Sequence, residues 1–443
     1  MPLNMETGQR ETASVVLEKA IIANVIFPNS NIDPHDPLGE IRALVDTAGA
    51  LIVDTLTQKR RKPDLTTFMG KGKVKELAQM VKAHDAQVII FDNDLRPSQI
   101  GNIQEVVECK VLDRSEIILD IFASRAKTHE AKLQVELAQL QYTYPRLRAM
   151  WSHLDRLGGG GIGTRGPGEQ QLETDRRIVQ RKKIELEKEI ADVQIRKTRE
   201  VQKRNQDHYT VGIVGYTNAG KSTLFNTSTR GGAYADDKLF ATLTSRTRKW
   251  DLGDADEIML TDTVGFVRDL PHHLVASFRA TLEEAIHADL LLIVLDVSHP
   301  RAAQQLQTVQ QVLDDVGAAD IKRLLLLNKT DLLHSNAELL TIQQQYPDAI
   351  PMSAKTGLGI DRVVKYLKDQ IKGQNLSLNL QVDLTDGKTI HFLETRALVQ
   401  DRRYKDHHVI MKVKLGKLLY DQLRGWGTSA KEIPDDQDEH EPA

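Results

Sequence analysis

The chain has 443 residues, 40% of them hydrophobic and 27% charged, which fits a soluble protein of two or three domains. Its 59 basic and 62 acidic side chains leave a net charge of −3, so any surface for a polyanion must be local. A single cysteine, Cys109, excludes an internal disulfide framework and a four-cysteine zinc site. No apolar run is long enough for a membrane helix, and the polar first residues are unlike a secretory signal. We therefore expect a cytosolic protein.

The first part of the chain alternates short apolar runs with amphipathic stretches. After a flexible tail over 1–15, residues 16–127 contain strand-like runs at 21–27 and 86–91 with helix-like sequence between them. This alternation predicts an N-terminal α/β domain with a mostly parallel sheet. The loop 68–73 has two glycines beside lysines, which fits either a flexible turn before a helix or a weak anion site, and we favour the turn.

Residues 128–207 have the pattern of two antiparallel helices joined by an exposed tip. Apolar residues recur at helical spacing in both, with Leu133, Leu137 and Leu140 in the first and Ile178, Leu186, Ile190 and Val193 in the second. Pro145 is predicted to end or bend the first helix. The glycine-rich segment 157–168 cannot form a helix or strand without a large entropic cost, so it is predicted to be a mobile loop.

The second helix is locally basic in a chain that is negative overall. Eleven basic and seven acidic side chains lie between Glu173 and Arg204. A charged helix alone is as often a solvated face. Further basic side chains surround the glycine-rich tip: Arg146, Arg148, Arg156 and Arg165. Together these clusters favour a polyanionic partner.

A phosphate-binding loop follows the strand-like run 211–214. The sequence 215–222, Gly-Tyr-Thr-Asn-Ala-Gly-Lys-Ser, has the G-x-x-x-x-G-K-S spacing between a strand and a helix. Its glycines let backbone N–H groups close around a β-phosphate, and the following helix adds its positive end. Lys221 is expected to reach the β- and γ-phosphates and Ser222 to ligate Mg²⁺. The pattern predicts a nucleotide-binding domain over 208–372.

Two later motifs select the base. The buried-strand run 324–327 ends in Asn328-Lys329-Thr330-Asp331, the N-K-x-D pattern. The Asp331 carboxylate can accept hydrogen bonds from the ring N–H and the exocyclic amine of guanine, whereas adenine presents a lone pair at that ring position. A further strand ends at Ser353-Ala354-Lys355, which fits a loop that caps guanine. The order of these motifs predicts GTP.

Two segments between these motifs are predicted to be the switches. In 262–266, Asp-Thr-Val-Gly-Phe, the D-x-x-G pattern places a carboxylate near Mg²⁺ and the Gly265 N–H against the γ-phosphate, so losing that phosphate frees the segment. Upstream, Phe240-Ala241-Thr242-Leu243-Thr244 lies where the first switch is expected. Thr242 is the preferred second hydroxyl ligand of Mg²⁺, with Thr244 and Thr247 as alternatives.

Position 266 predicts slow intrinsic hydrolysis. Many switch GTPases have a glutamine there to orient the attacking water, and phenylalanine cannot do so. We therefore expect a partner or an ion to position the water and assign no catalytic residue. Asn218 occupies the loop position from which some GTPases bind an activating K⁺, which makes K⁺ stimulation a hypothesis.

The end of the chain has no recognisable chemistry. Alternating apolar and polar residues over 376–384 predict a half-buried strand, Asp386-Gly387 a turn, 409–413 another strand and 418–423 a helix. We expect a small C-terminal α/β unit over 373–432. The acidic end, 433–443, is predicted to be disordered.

The chain resembles the HflX family of ribosome-associated GTPases, in the Obg-HflX superfamily of the TRAFAC class. The resemblance covers most of the chain and rests on 215–222, on 262–266, on Leu-Pro-His-His-Leu-Val-Ala-Ser-Phe-Arg-Ala-Thr-Leu at 270–282 and on Gly-Gly-Gly-Gly-Ile-Gly-Thr-Arg-Gly-Pro-Gly-Glu at 158–169. One departure is Thr244-Ser245-Arg246, where the family usually continues with Asp-Pro.

This resemblance implies an N-terminal α/β domain, a helical linker, a GTP-binding domain with a mostly parallel sheet covered on both faces, and in some members a C-terminal α/β unit. It also implies GTP-dependent binding to the large ribosomal subunit and a role in splitting or rescuing stalled ribosomes. The glycine-rich tip and basic helix would then contact ribosomal RNA, through Gly158, Gly159, Gly160, Gly161, Arg165, Arg176, Arg177 and Lys182.

Two alternative functions remain open at this stage. The chain could be a GTPase for tRNA modification or RNA maturation, or a nucleotide-gated scaffold with negligible turnover. We expect a monomer that associates with ribosomes or peripherally with membrane, with Mg²⁺ as cofactor. The predicted GTP-binding residues are Gly215, Tyr216, Thr217, Asn218, Ala219, Gly220, Lys221, Ser222, Thr223, Phe240, Ala241, Thr242, Asp262, Thr263, Val264, Gly265, Asn328, Lys329, Asp331, Ser353, Ala354 and Lys355.

Overall fold

The computed structural model describes residues 17–28, 30, 32–33, 35–157, 167–229, 239–240, 245–253, 256–268, 286–333, 337–405 and 407–434. The chain divides into two compact units, 1–186 and 187–443, which are described separately below. None of the helices in the described ranges combines the length and the apolar composition that a membrane span requires.

The first unit contains a four-stranded parallel sheet. Its strands are Lys19–Ile26 (β1), Leu51–Lys59 (β2), Val88–Phe91 (β3) and Lys110–Leu112 (β4). Its helices are Gly39–Ala48 (α1), Lys71–His84 (α2), Pro97–Val107 (α3), Arg114–Arg125 (α4) and His129–Leu157 (α5), and Pro167–Asp207 (α6) begins here. The strand order is β2-β1-β3-β4, and every neighbouring pair is parallel. Each parallel step needs a crossover, and helices α1 to α3 make the three crossovers.

The apolar runs are strands because both of their faces are covered. All four residues of β3 are buried, and six of the eight residues of β1 are buried. Sheets covered on both faces have continuous apolar strands instead of alternating ones. The predicted turn at 68–73 lies at the start of α2, which begins at Lys71.

A buried polar cluster joins α5 to the sheet of this unit. Asp113, between β4 and α4, has no exposed surface and accepts four hydrogen bonds. Its Oδ1 accepts from the Tyr142 hydroxyl (2.5 Å) and the Glu116 backbone N–H (3.0 Å). Its Oδ2 accepts from Arg146 (2.5 Å) and the Leu95 backbone N–H (3.2 Å). We call Asp113, Tyr142 and Arg146 the Asp113 cluster.

Two expectations for the helical region need correction. Helix α5 continues through Pro145 to Leu157, so the proline does not end it, which was one of the two expected effects. Tyr142 and Arg146 on either side of the proline are both held by Asp113, so tertiary contacts stabilise the helix where it lacks one hydrogen bond. In α6, Leu186 and Ile190 are buried as expected, but Ile178 is 57% exposed and does not belong to the buried stripe.

The second unit contains a six-stranded sheet. Its strands are Tyr209–Gly215 (β5), Arg246–Gly253 (β6), Asp256–Asp262 (β7), Leu290–Asp296 (β8), Arg323–Asn328 (β9) and Ile350–Pro351 (β10). The described helices beside it are Lys221–Ser228 (α7), Ala302–Asp315 (α8), Ala337–Gln345 (α9) and Ile360–Gln374 (α10). The order is β10-β9-β8-β5-β7-β6, parallel except for β6, which runs antiparallel at one edge.

The order and direction of the strands determine which edge of the six-stranded sheet carries the candidate site. Strands β5, β8 and β9 are central, and their apolar side chains form the core of this sheet. Strands β5, β7 and β9 are each followed directly by one of the polar motifs of the sequence. Because parallel strands end at the same edge of a sheet, the phosphate loop and the N-K-x-D motif come together there. The predicted α/β class with a mostly parallel sheet is confirmed.

The second unit also contains an antiparallel sheet at the end of the chain. Its strands are Asn375–Asp383 (β11), Leu398–Lys405 (β12), His408–Gly416 (β13) and Lys431–Ile433 (β14), in the order β12-β13-β11-β14. Helices Gly387–Arg396 (α11) and Lys417–Gly425 (α12) pack on one face through Leu393 and Leu423. Asp386 was predicted to form a turn with Gly387, but it caps α11, accepting the Thr389 backbone N–H at 3.1 Å. Strands β12 and β14 were not predicted, and β14 ends at Ile433, the first residue of the end that was predicted to be disordered.

Candidate functional site

Lys221 forms the centre of the phosphate loop. It is the first residue of α7, and its side chain folds back so that Nζ donates to the carbonyl oxygens of Gly215 (3.2 Å) and Tyr216 (2.8 Å). Burial lowers the pKa of Lys221 to about 8, while the nearby Asp262 carboxylate opposes that shift. The loop thus encloses a lysine whose positive charge is poorly solvated. The negative charge of a bound phosphate would compensate for that lost hydration.

Two glycines are required by close approach. At Gly220 the backbone is left-handed (φ +97°), and a Cβ there would lie 2.2 Å from the Asn328 side-chain nitrogen. A Cβ at Gly265 would lie 2.8 Å from both Lys221 Nζ and Thr217 Cγ2. The D-x-x-G segment therefore passes directly against the phosphate loop.

Asn328 connects the two halves of the site. Its side-chain nitrogen donates to the Ala219 carbonyl at 2.7 Å, and its side-chain oxygen accepts the Ala354 backbone N–H at 2.9 Å. One buried amide thus holds the phosphate loop and the Ser353-Ala354-Lys355 loop together. Thr227 of α7 adds a second link, because its hydroxyl donates to the Ala354 carbonyl at 3.0 Å.

The N-K-x-D motif presents Asp331 in an exposed position. Asp331 lies in the 3-10 turn Thr330–Leu332, and the Thr330 hydroxyl fixes that turn by donating to the Met352 carbonyl at 3.0 Å. Lys329 has a left-handed backbone (φ +64°), and its ammonium group pairs with Asp296 at 2.7 Å. Ser353 and Ala354 are buried, whereas Lys355 is exposed.

Ser222 and Asp262 bring a hydroxyl and a carboxylate together beside the phosphate loop. The Ser222 hydroxyl donates to Asp262 Oδ2 at 2.9 Å, and Asp262 is almost fully buried at the end of β7. Thr263 follows with no exposed surface, and its hydroxyl donates to the Ile213 carbonyl at 2.7 Å. A hydroxyl and a carboxylate beside the phosphate loop suit Mg²⁺, which prefers oxygen ligands and one or two carboxylates together with phosphate.

Phe266 is paired with the phosphate loop through its backbone and with the core through its ring. Its N–H donates to the Gly215 carbonyl at 3.1 Å, and its carbonyl accepts the Thr217 N–H at 2.7 Å. The side chain is 3% exposed and belongs to the core of the six-stranded sheet. The ring therefore points away from solvent, where it cannot orient a water molecule.

Part of the predicted site lies outside the described residues. This applies to Ala241, Thr242 and Thr244 of the first switch and to Gly158, Gly159, Gly160, Gly161 and Arg165 of the glycine-rich tip. The alternative ligand Thr247 lies in β6, where its hydroxyl is hydrogen-bonded to that of Thr261 at 2.9 Å. Phe240 is buried with a left-handed backbone (φ +55°).

The predicted RNA contacts on α6 lie within the first unit. Arg177 is exposed, and Lys182 pairs with Glu136 of α5 at 3.2 Å with about half of each side chain exposed. Arg176 belongs to the helix, and its side chain lies outside the described set.

Sequence reasoning missed three contributions. Asp296, the last residue of β8, pairs with Lys329, and Thr227 supports Ala354. The Tyr216 hydroxyl accepts the Arg268 backbone N–H at 2.7 Å and so links the phosphate loop to the segment after Phe266. Of these, only Asp296 could have been recognised from the sequence. A carboxylate at the carboxyl end of a buried parallel strand lies at the edge of the sheet where the site forms.

Three family models match the chain in succession. They are described as GTP-binding GTPase N-terminal (residues 35–123), GTP-binding GTPase Middle Region (125–206) and 50S ribosome-binding GTPase (210–329). Together they span most of the chain, and the third begins just before the phosphate loop and ends within the N-K-x-D motif.

Curated relatives match over nearly their whole length. GTPase HflX of Escherichia coli (strain K12) is 40% identical over 401 residues, which cover 90% of this chain and 93% of the relative. GTPase HflX of Lacrimispora saccharolytica is 39% identical over 410 residues, covering 92% and 96%. Among solved structures, a crystal structure of the SsGBP and GDP complex is similar with 25% identity and a TM-score of 0.48, covering 80% of this chain and 98% of that one.

Proposed function

The chain belongs to the HflX family of GTPases, and we propose that it binds the large ribosomal subunit in its GTP-bound state and splits or rescues stalled ribosomes. As a member of this family it is a GTP hydrolase. The observation that carries the nucleotide part of the proposal is the double hydrogen bond of Asn328 to Ala219 and Ala354. It holds the phosphate loop and the base-capping loop at a fixed spacing, as one ligand with a phosphate end and a base end requires.

The roles of the site residues follow from this arrangement. The backbone of 215–223 binds the β-phosphate, Lys221 the β- and γ-phosphates, and Gly265 the γ-phosphate. Asp331 binds the guanine edge, while Lys329, held by Asp296, lies along the base. Ser222 and Thr242 would hold Mg²⁺, with Asp262 supporting it, and the ion would neutralise charge on the phosphates. We prefer Thr242 to Thr247, whose hydroxyl is bonded to Thr261.

Slow hydrolysis without a partner is part of the proposal. Phe266 is packed in the core, and its backbone is paired with Gly215 and Thr217, so this segment offers no side chain to the attacking water. The group that orients the water must come from elsewhere, and an ion bound at Asn218 or the ribosome itself could provide it.

We expect K⁺ to stimulate this turnover by about tenfold or more over Na⁺, the scale of one added positive group at the reacting phosphate. Asn218 has a left-handed backbone (φ +59°), so Asn218→Gly keeps the loop conformation while removing the amide. In single-turnover assays that variant should hydrolyse GTP equally in K⁺ and Na⁺ with GTP affinity unchanged within about twofold. Equal wild-type rates in the two salts would remove K⁺ from the mechanism.

The ribosomal part of the proposal rests on the family and on the local charge of α6. Arg177 is exposed, and Lys182 is half-exposed in a pair with Glu136. An exposed pair of this kind contributes little to stability, at most about 1 kcal/mol, so these cations are available to phosphates at small cost. Lysines and arginines that contact RNA phosphates release counterions, which makes binding steeply dependent on salt.

Co-sedimentation with purified large subunits in GTP, GDP and a non-hydrolysable GTP analogue tests this part. Binding should require the triphosphate, and reversing the charges of Arg176, Arg177 and Lys182 to Glu should weaken it. The salt slope should fall by about 0.7 to 0.9 for each RNA phosphate that the variant no longer neutralises. Light scattering of intact ribosomes would follow their dissociation.

Reversing Lys62, Lys75 and Lys82 provides the matched control. These are three exposed lysines of the first unit, and Lys82 also has an exposed acidic partner, Glu108 at 3.7 Å. If this control weakens ribosome binding as much as the α6 variant does, the basic helix is not the docking surface.

A further inference from the structure

The C-terminal antiparallel sheet has one covered face and one open face. Along β11 and β13 the residues alternate, and Leu380, Val382, Val409, Met411 and Val413 face helices α11 and α12. The register places the residues between them on the other face. One row across the four strands is therefore Arg403, Ile410, Gln381 and Lys431, and the next is Asp401, Lys412, Asn379 and Ile433.

The open face is basic. Its strand residues include five cations, Arg403, Lys405, Lys412, Lys414 and Lys431, and two carboxylates, Asp383 and Asp401. Asp401 pairs with Arg403 at 3.2 Å. Because the whole chain has a net charge of −3, this excess of positive charge on one face is a local feature. A concentration of one charge sign on one face indicates a partner of the opposite sign.

A shallow cleft of about 240 Å³ crosses this face. Its lining includes Arg403, Lys405 and Lys412, together with the side-chain amides of Asn379 and Gln381. Amides and cations are the groups that donate hydrogen bonds to phosphate and ribose oxygens in nucleic-acid complexes. The cleft is lined by residues of all four strands, so an extended anionic ligand could follow it.

We propose that the open face of the C-terminal sheet binds an RNA through its phosphate backbone. This inference rests on the proposed function, in which an RNA-rich particle is the partner, and it assigns a second contact surface besides α6. An RNA-recognition motif also uses a four-stranded sheet, but aromatic side chains on its central strands stack on bases. Here the central strands β11 and β13 present no phenylalanine, tyrosine or tryptophan to the open face. Binding is therefore directed at the backbone and is insensitive to base sequence.

The test uses the full chain and a fluorescent duplex RNA of about 20 base pairs, longer than the roughly 16 base pairs that a double-stranded RNA domain spans. We expect Lys405→Glu/Lys412→Glu to weaken binding at least tenfold and to reduce the slope of log K against log salt by about 1.5 to 2, the effect expected when two phosphates are no longer neutralised. Two duplexes of unrelated sequence should respond equally.

Lys388→Glu/Arg424→Glu is the matched control, because it makes the same charge change on the helices that cover the opposite face. It should leave RNA affinity within about twofold, and both double variants should keep the wild-type GTP turnover and melting temperature. Repeating the measurement with Arg177 and Lys182 also reversed separates the two surfaces, because the sheet effect should persist in that background.

Three outcomes would overturn the inference. One is unchanged RNA affinity and salt slope in the sheet variant, and another is an equal loss in the control. The third is that the wild type binds poly-L-glutamate and that Lys405→Glu/Lys412→Glu loses this binding but keeps its RNA affinity. That result would identify an acidic protein as the partner. Failure of the proposed function is separately recognised, since ribosome co-sedimentation would then not depend on GTP while duplex binding by the sheet remained.

Discussion

Asp331→Asn should transfer nucleotide selectivity from guanine to xanthine. The Asp331 carboxylate is exposed in a turn that Thr330 ties to Met352, so the substitution changes its hydrogen-bonding groups and leaves its position unchanged. The amide cannot accept both N–H groups of guanine. Xanthine carries a carbonyl oxygen where guanine has its exocyclic amine, so the new amide N–H can donate to it.

We expect GTP affinity to fall by about 10²- to 10⁴-fold, since each of two hydrogen bonds to a charged group is worth about 1.5 to 3 kcal/mol. Xanthosine triphosphate should become the better ligand. Titration of both nucleotides by fluorescence or calorimetry measures this, with Asp320→Asn, at another exposed aspartate of the same unit, as the control. If Asp331→Asn still binds GTP within twofold of the wild type, the N-K-x-D segment does not recognise the base.

Removing the Asp113 carboxylate should destabilise the first unit strongly. Asp113→Ala removes the buried carboxylate that accepts from Arg146 and the Tyr142 hydroxyl, and leaves them the half-exposed Glu116 at 3.6 and 3.3 Å. Taking away one partner of a buried ion pair typically costs about 3 to 5 kcal/mol. Because α5 is joined to α4 and to the loop before α3 by this cluster, the loss should appear as local opening of α4 and α5.

Hydrogen exchange of the full chain, followed by mass spectrometry, reports that opening. Peptides from α4 and α5 should exchange about 100- to 4,000-fold faster, at tenfold per 1.4 kcal/mol. Peptides from the six-stranded sheet of the second unit should be unaffected. Exchange in α4 and α5 at the wild-type rate would show that the Asp113 cluster is not what holds α5 in place.

Glu116→Gln is the control at the same cluster, and its expected effect on stability at neutral pH has the opposite sign. Burial and then the charge of Asp113 raise the pKa of Glu116. A carboxyl whose pKa is higher in the folded state stabilises the fold below its unfolded pKa, and that contribution is lost as the pH rises through the folded value. At neutral pH the ionised Glu116 is therefore a cost, so Glu116→Gln should be neutral or slightly stabilising there.

The sequence was enough to predict where the motifs that directly follow strands lie in the fold. The phosphate loop, the D-x-x-G segment and the N-K-x-D motif each follow an apolar run directly, and such runs become parallel strands that end at a common edge. Local chemistry also sufficed for Phe266, because the absence of a polar group at that position is a property of the residue. The structure adds that its ring is buried.

Contacts between distant residues could not be predicted. Asn328 reaches Ala219 across 109 positions, and Asp113 meets Arg146 across 33. Asparagine, aspartate and arginine are ordinary surface residues, and only the folded backbone shows which of them meet in the interior. The passage of α5 through Pro145 has the same cause, since the interactions that compensate the missing hydrogen bond come from another element.

The amino-acid sequence alone was enough to identify the family, the nucleotide motifs and the α/β class, because side-chain type at fixed spacing next to a strand is local information. Tertiary structure alone decided which polar groups became buried partners and which face of the C-terminal sheet stayed open. That face depends on strand register across four segments, including the unpredicted β12, and shifting one strand by a single residue would move its cations to the helix-covered side.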